Sequence, residues 1–146
     1  MQWARYWLAF HIEKASQSPY SSVTCCSGPF SAYRKEYLME YLDEWNNQYF
    51  LGNKCTYGDD RGLTTLMLRN GYKVRFSKYA MCLTNVPTTL KIFIKQQIRW
   101  KKSFIRENYY LFKTNLILCA AFELISYELK IFNYLILILV KKLLNY

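Results

Sequence analysis

Acidic residues are scarce in this chain: three Asp and seven Glu stand against 20 Lys and Arg, which leaves a net charge of +10. Histidine is scarcer still, with His11 alone. The five cysteines, Cys25, Cys26, Cys55, Cys82 and Cys119, include no CxxC spacing. An odd count without that spacing argues against a structural zinc site and against a disulfide framework. Reduced thiols facing the cytosol are expected. The opening MQWARYWLAFHIEKAS has no apolar run long enough for a signal peptide, because Glu13 and Lys14 interrupt it. No recognition-helix, zinc-finger or RNA-binding signature accompanies the basic charge, so nucleic acid is set aside as a partner.

What the chain does have is apolar and aromatic mass. Its 146 residues suit one domain or a piece of one, and 52% are hydrophobic, enough for a core. Aromatics reach 18%, a level that fits a large aromatic core, a membrane interface or sugar stacking. The positive charge is uneven: from Pro87 to Tyr146 there are ten Lys/Arg and three Glu. Such asymmetry points to an anionic partner, either lipid head groups or a nucleotide-sugar diphosphate.

Periodicity divides the chain into short elements. The opening reads as an amphipathic helix with Trp3, Tyr6, Trp7, Phe10 and Lys14 recurring at helical spacing. So abrupt a start with a packed helix suggests more chain before it. Pro19 breaks the next stretch, Ser22–Cys26 is β-prone, and Ser27-Gly28-Pro29 marks a turn. Arg34–Trp45 has helical character, with Tyr37, Leu38, Tyr41 and Leu42 on one face, and Asn46–Asn53 reads as loop. LTTLMLRN continues a helix that Gly71 ends. Two strands are expected at Lys73–Ser77 and Ala80–Val86, stopped by Pro87. Thr88 or Thr89 then caps a long basic helix over about 90–112. Mixed elements of this kind indicate an α/β fold. The tail, 113–146, is expected to be a membrane-associated helical segment. Its apolar runs are each shorter than the roughly 20 residues of a span, and Glu123, Glu128 and Lys130 would sit inside a joined one. An interfacial helix and a marginal span both fit.

Three local patterns carry possible chemistry. Cys26-Ser27-Gly28-Pro29-Phe30 is a strand end and a turn. Gly58-Asp59-Asp60-Arg61 opens a helix, where acids cap free amides and complement the dipole. The same acids suit a general base, which must be ionised, fixed and close to a cleft. Gln96, Arg99 and Trp100 stand at i, i+3 and i+4, on one helix face. An amide, a guanidinium and an indole side by side can bind a hydroxyl, a diphosphate and a sugar ring. A basic helix lying on a membrane has the same composition.

In this order the three patterns resemble the hyaluronan synthases, bacterial-type members foremost. The matching residues are Cys26-Ser27-Gly28-Pro29, Gly58-Asp59-Asp60-Arg61 and KQQIRWKKSFIRE over 95–107, and the likeness covers roughly residues 5–110. QxxRW is shared with chitin and cellulose synthases, so a chitin or chitin-oligosaccharide synthase is the alternative. A non-catalytic, basic membrane-surface remnant is a further one. The resemblance implies part of a GT-A glycosyltransferase domain over 1–112, followed by an interfacial or transmembrane helix. It implies inverting transfer from UDP-sugars to a growing polysaccharide, at the plasma membrane with the catalytic part cytosolic.

Carried over by residue, the resemblance makes Asp60 the base. It puts Gln96, Arg99 and Trp100 at the acceptor and diphosphate end, and makes Ser27, Gly28 and Pro29 the wall beside the acceptor sugar. Asp59 and Arg61 then support Asp60. The complete enzyme is expected to use Mg or Mn held by a DxD. The three Asp here, at 43, 59 and 60, form no such motif, so no metal ligands are expected in this chain. A missing N-terminal half, carrying the nucleotide pocket, would be a further partner.

Overall fold

The computed structural model describes residues 2–116 and 121; most of the tail predicted above lies outside them. The N-terminal segment is helical throughout but changes gauge. Helix α1 (Gln2–Leu8) runs into a π-helical turn over Ala9–Lys14. One turn of α-helix, α2 (Ala15–Gln17), and a 3₁₀ turn over Ser18–Tyr20 follow. Pro19 sits in the first turn of the last piece, where a missing N–H is harmless, and Ser21 (φ 54°) ends the run.

The packed face of this segment matches the expected one at Tyr6, Phe10 and Lys14 and departs from it at the two tryptophans. Trp3 is 75% exposed and Trp7 stacks on His11 at the surface. The inward side is Tyr6, Phe10 and Lys14, joined by Gln17, against Trp100, Phe76, Ser27 and Thr24.

Helix α3 (Lys35–Glu40) and helix α4 (Leu42–Asn46) replace the single expected helix. They part at Tyr41, which leaves helical geometry at φ −111°, ψ 10°. Within the expected loop, strands β1 (Tyr49–Phe50) and β2 (Asn53–Lys54) pair antiparallel. Leu51 and Gly52 have φ of 50° and 79°, the left-handed pair that closes a tight two-residue hairpin.

Helix α5 (Asp59–Arg69) is the centre of the molecule. Leu63, Leu66, Met67 and Leu68 pack with Val23 and Val74, and Tyr33, Tyr37, Tyr41, Trp45, Tyr72 and Phe76 surround that core. Gly71 (φ 80°) ends α5 as the sequence indicates: its N–H donates to Leu68 O and that of Tyr72 to Met67 O. Helix α6 (Leu90–Lys113) is capped by Thr89, whose Oγ1 accepts from Ile92 N at 3.4 Å. Asn115 (φ 59°) ends it in the same manner as Gly71 ends α5, with Leu116 N donating to Leu111 O.

The strands are where expectation and structure part. Ser22–Cys26 and Lys73–Ser77 meet only in a parallel bridge between Ser22 and Val74. Val74 N donates to Ser21 O at 2.8 Å, and Val23 N to Val74 O at 3.2 Å. Ala80–Val86 forms no strand; Met81 and Leu83 are 84% and 103% exposed. A strand needs neighbours to take up its N–H and C=O groups, and no strand lies beside this segment among the described residues. The α/β expectation therefore holds only in part, and the described fold is mostly helical. Among the described residues no helix is long and apolar enough to cross a membrane.

Candidate functional site

The CSGP turn and the start of α5 meet. Gly28 N donates to Asp60 Oδ2 at 3.2 Å, and Arg61 N donates to Oδ1 of the same carboxylate at 2.9 Å. Cys26 N donates to Thr64 Oγ1 at 2.9 Å. That hydroxyl in turn donates to Asp60 O at 2.7 Å, one helical turn back. The Cys25 thiol lies 3.9 Å from Asp60 Oδ2. Both oxygens of Asp60 are thus fixed by backbone amides at the start of a helix. Ser27 is half-buried, and Gly28 and Pro29 are exposed beside Asp60.

Asp59 differs from its neighbour. Its side chain is exposed, and its carbonyl accepts from the Trp45 indole at 3.1 Å. The Arg61 guanidinium lies 5.6 Å from the Phe104 ring centroid, turned toward α6.

Gln96, Arg99 and Trp100 lie on α6 as the spacing predicts. Trp100 packs 6.4 Å from the Tyr6 ring, with the Arg5 guanidinium 5.9 Å above its own. Arg5 also donates to the side-chain oxygen of Gln97. Arg99 is exposed. From Trp100 the same stripe runs on to Ser103 and Glu107, one and two helical turns away.

That stripe joins α6 to the Asp60 end of α5. Gly58 (φ 73°) packs so closely on Ser103 that an added Cβ would collide with its hydroxyl. Arg106 is 1% exposed and ion-paired with Glu107. It donates to Tyr57 O at 3.1 Å and Gly58 O at 3.3 Å. Sequence reasoning took KSFIRE only as a likeness. Structurally its Ser103 and Arg106 hold the turn that presents Asp59 and Asp60, with Glu107 paired to Arg106. Lys14, which the spacing places only on an amphipathic face, is 9% exposed and donates to the Ser27 hydroxyl. Burial lowers its pKa, while Cys25, Cys26 and Asp60 oppose that shift.

A divalent metal does not fit the described residues. Asp60 already accepts two amides and feels the Lys14 ammonium. No group of three or more His, Cys, Asp or Glu gathers among the described residues. The four described cysteines are free thiols; Cys119 lies outside them.

A family model described as chitin synthase matches residues 1–144. The chain belongs to that family. It is also related to the hyaluronan synthases. Hyaluronan synthase 3 of Homo sapiens is 46% identical over 103 residues, which is 70% of this chain and 19% of that protein. Hyaluronan synthase 2 of Xenopus laevis is 47% identical over 103 residues, with the same shares, and that of Mus musculus is 46% identical. The chain therefore spans about a fifth of the length of the curated relatives it matches.

Proposed function

We propose that this chain forms the acceptor-side part of a glycosyltransferase that extends a polysaccharide from UDP-sugars with inversion, as in a hyaluronan synthase. The observation that carries the reading is the Asp60 carboxylate held by the Gly28 and Arg61 amides at the mouth of the CSGP turn. In this reading Asp60 takes the proton of the acceptor hydroxyl as it attacks the donor's anomeric carbon. Ser27, Gly28 and Pro29 wall the acceptor sugar. Trp100 stacks on a sugar ring, Gln96 binds a hydroxyl, and Arg99 grips the departing diphosphate through its bidentate fork. Asp59 and Arg61 support Asp60. The Mg or Mn implied for the whole synthase would neutralise the diphosphate charge, and the residues described here do not form its site.

The reading includes a membrane. Helix α6 exposes Leu90, Ile94, Ile98, Ile105 and Tyr109 alongside its lysines, the composition of a helix lying at a lipid surface. The catalytic part would face the cytosol at the plasma membrane.

A graft tests the whole reading: the matched 103-residue segment of human hyaluronan synthase 3 is exchanged for that of this chain. Membranes holding the graft should polymerise UDP-N-acetylglucosamine and UDP-glucuronate into a hyaluronidase-sensitive product. Product from UDP-N-acetylglucosamine alone, sensitive to chitinase, would favour the chitin-type alternative. A well-inserted graft that binds UDP yet makes no polymer would sink both and favour the non-catalytic remnant.

A further inference from the structure

We propose that Lys14 is a positioning residue for the CSGP turn and Asp60, brought to the site by the π-helical turn Ala9–Lys14; this rests on the function proposed above.

The N-terminal helical segment serves two separate partners. Near its start, Arg5 and Tyr6 engage Gln97 and Trp100 of α6. Near its end, Lys14 engages Ser27, and Gln17 accepts from Thr24 N at 3.2 Å. In a regular α-helix each residue turns the face by about 100°. The π turn absorbs an extra residue, so the faces before and after it are offset from α-helical register. Both contacts form with this offset in place. Such turns occur mostly as single insertions at functional sites, and this one ends on the buried lysine.

The surroundings of Lys14 are costly for a cation. Its ammonium lies 4.4 Å from the Phe10 ring centroid and donates to Ser27, and Lys14 as a whole residue is 9% exposed. Burying a charge is unfavourable unless something compensates. An apolar side chain of similar length would fill the same space without that cost, so the charge itself calls for a role. Two effects follow from the contacts. Holding Ser27 sets the direction of the next amide, Gly28 N–H, toward Asp60. The cation also places a positive charge near Asp60, where a base would act. Charged and titratable groups facing Lys14 are Cys25, Cys26, Asp60 and Arg61.

The test uses the graft with Lys14→Met and Lys14→Arg. Lys14→Met should lower kcat at least about tenfold with the KM for UDP-sugar within about twofold of the parent, because it disturbs the base. Lys14→Arg should restore most of kcat. It should also move the alkaline limb upward, since a guanidinium keeps its proton where a buried lysine sheds it. A structural role alone would leave that limb in place. Unchanged kcat in Lys14→Met overturns the proposal, as does an unshifted alkaline limb in Lys14→Arg. The latter decides the matter if the Met variant fails to fold. An inactive parent graft overturns the functional reading and this inference with it; an active parent with silent variants overturns this inference alone.

Discussion

The Gly28 amide and the Asp60 carboxylate, 32 positions apart in the chain, meet at 3.2 Å. The contact joins a turn that follows a β-prone run to the first residues of the central helix. It makes Asp60, and not its exposed neighbour Asp59, the carboxylate with a fixed direction.

Replacing Asp60 by Asn in the graft should therefore reduce polymer synthesis by about 10²–10⁴-fold, the usual contribution of a general base. Nucleotide binding and membrane insertion should persist. Incorporation of labelled sugar measures the loss. Near-normal turnover would move the base elsewhere, with Asp59 the first candidate.

Arg99→Lys should be nearly as damaging. Lysine keeps the charge but loses the two-pronged geometry that matches a diphosphate. If α6 served only as a basic surface helix, the exposed Arg99 would accept Lys almost silently. Polymer yield from the Lys variant of the graft separates the two roles.

The grip of α6 on the Gly58 turn predicts stability effects away from any substrate. Gly58→Ala forces a left-handed residue with a Cβ, costing roughly 1–2 kcal/mol, and adds the collision with Ser103. Arg106→Met strands the buried Glu107 and should cost about 3–5 kcal/mol. Converting Glu107 to Leu as well should recover much of that. Thermal unfolding of the purified chain in detergent checks all three; a tolerant Arg106→Met would mean that the pair is not buried as described.

Local signals in the sequence marked the helices well. Thr89 caps α6, Gly71 ends α5, and the periodicity over 90–112 closely matches Leu90–Lys113. The strands were overread because β-prone residues at 73–77 and 80–86 say nothing about whether a neighbour exists to pair with them. The acid pair at 59 and 60 is legible as a helix opening, and Gln96, Arg99 and Trp100 as one helix face; the choice of Asp60 over Asp59 comes only from the resemblance, and the roles of all four are part of the proposal. Lys14 reads from sequence as one member of an amphipathic face, since nothing in local spacing announces a π turn or a contact 13 residues on. Arg106 was hidden in plain charge. An Arg-Glu pair reads as solvated surface until the turn it holds is seen, and its one sequence signal is the adjacency of Arg106 and Glu107 at the end of KSFIRE.

The exposed apolar side chains of α6 and the lysine-flanked runs of the tail predict partition to membranes. Interfacial attachment scales with apolar area and with attraction to anionic lipid. Pelleting with vesicles that salt reverses indicates a surface helix, and carbonate-resistant pelleting a span. A fully soluble chain would contradict both.

The 146-residue chain by itself should bind UDP-sugar with Mg or Mn weakly or not at all, and should make no polymer. A hard divalent ion takes oxygen ligands, usually one or two carboxylates together with substrate phosphates. Asp60 is poorly placed to serve: its Oδ1 and Oδ2 accept from Arg61 and Gly28, and the Lys14 ammonium is close enough to feel its charge. A metal there would compete with two amide donors for the same carboxylate and feel a like charge nearby. Asp59 is exposed, but one carboxylate in open solvent holds such an ion only weakly. Calorimetric titration of the chain with UDP-N-acetylglucosamine, with and without manganese, should therefore give little heat and no metal dependence. Tight binding that requires the metal would show that these residues, or those outside the described part, assemble a donor site, and the acceptor-side assignment would fall.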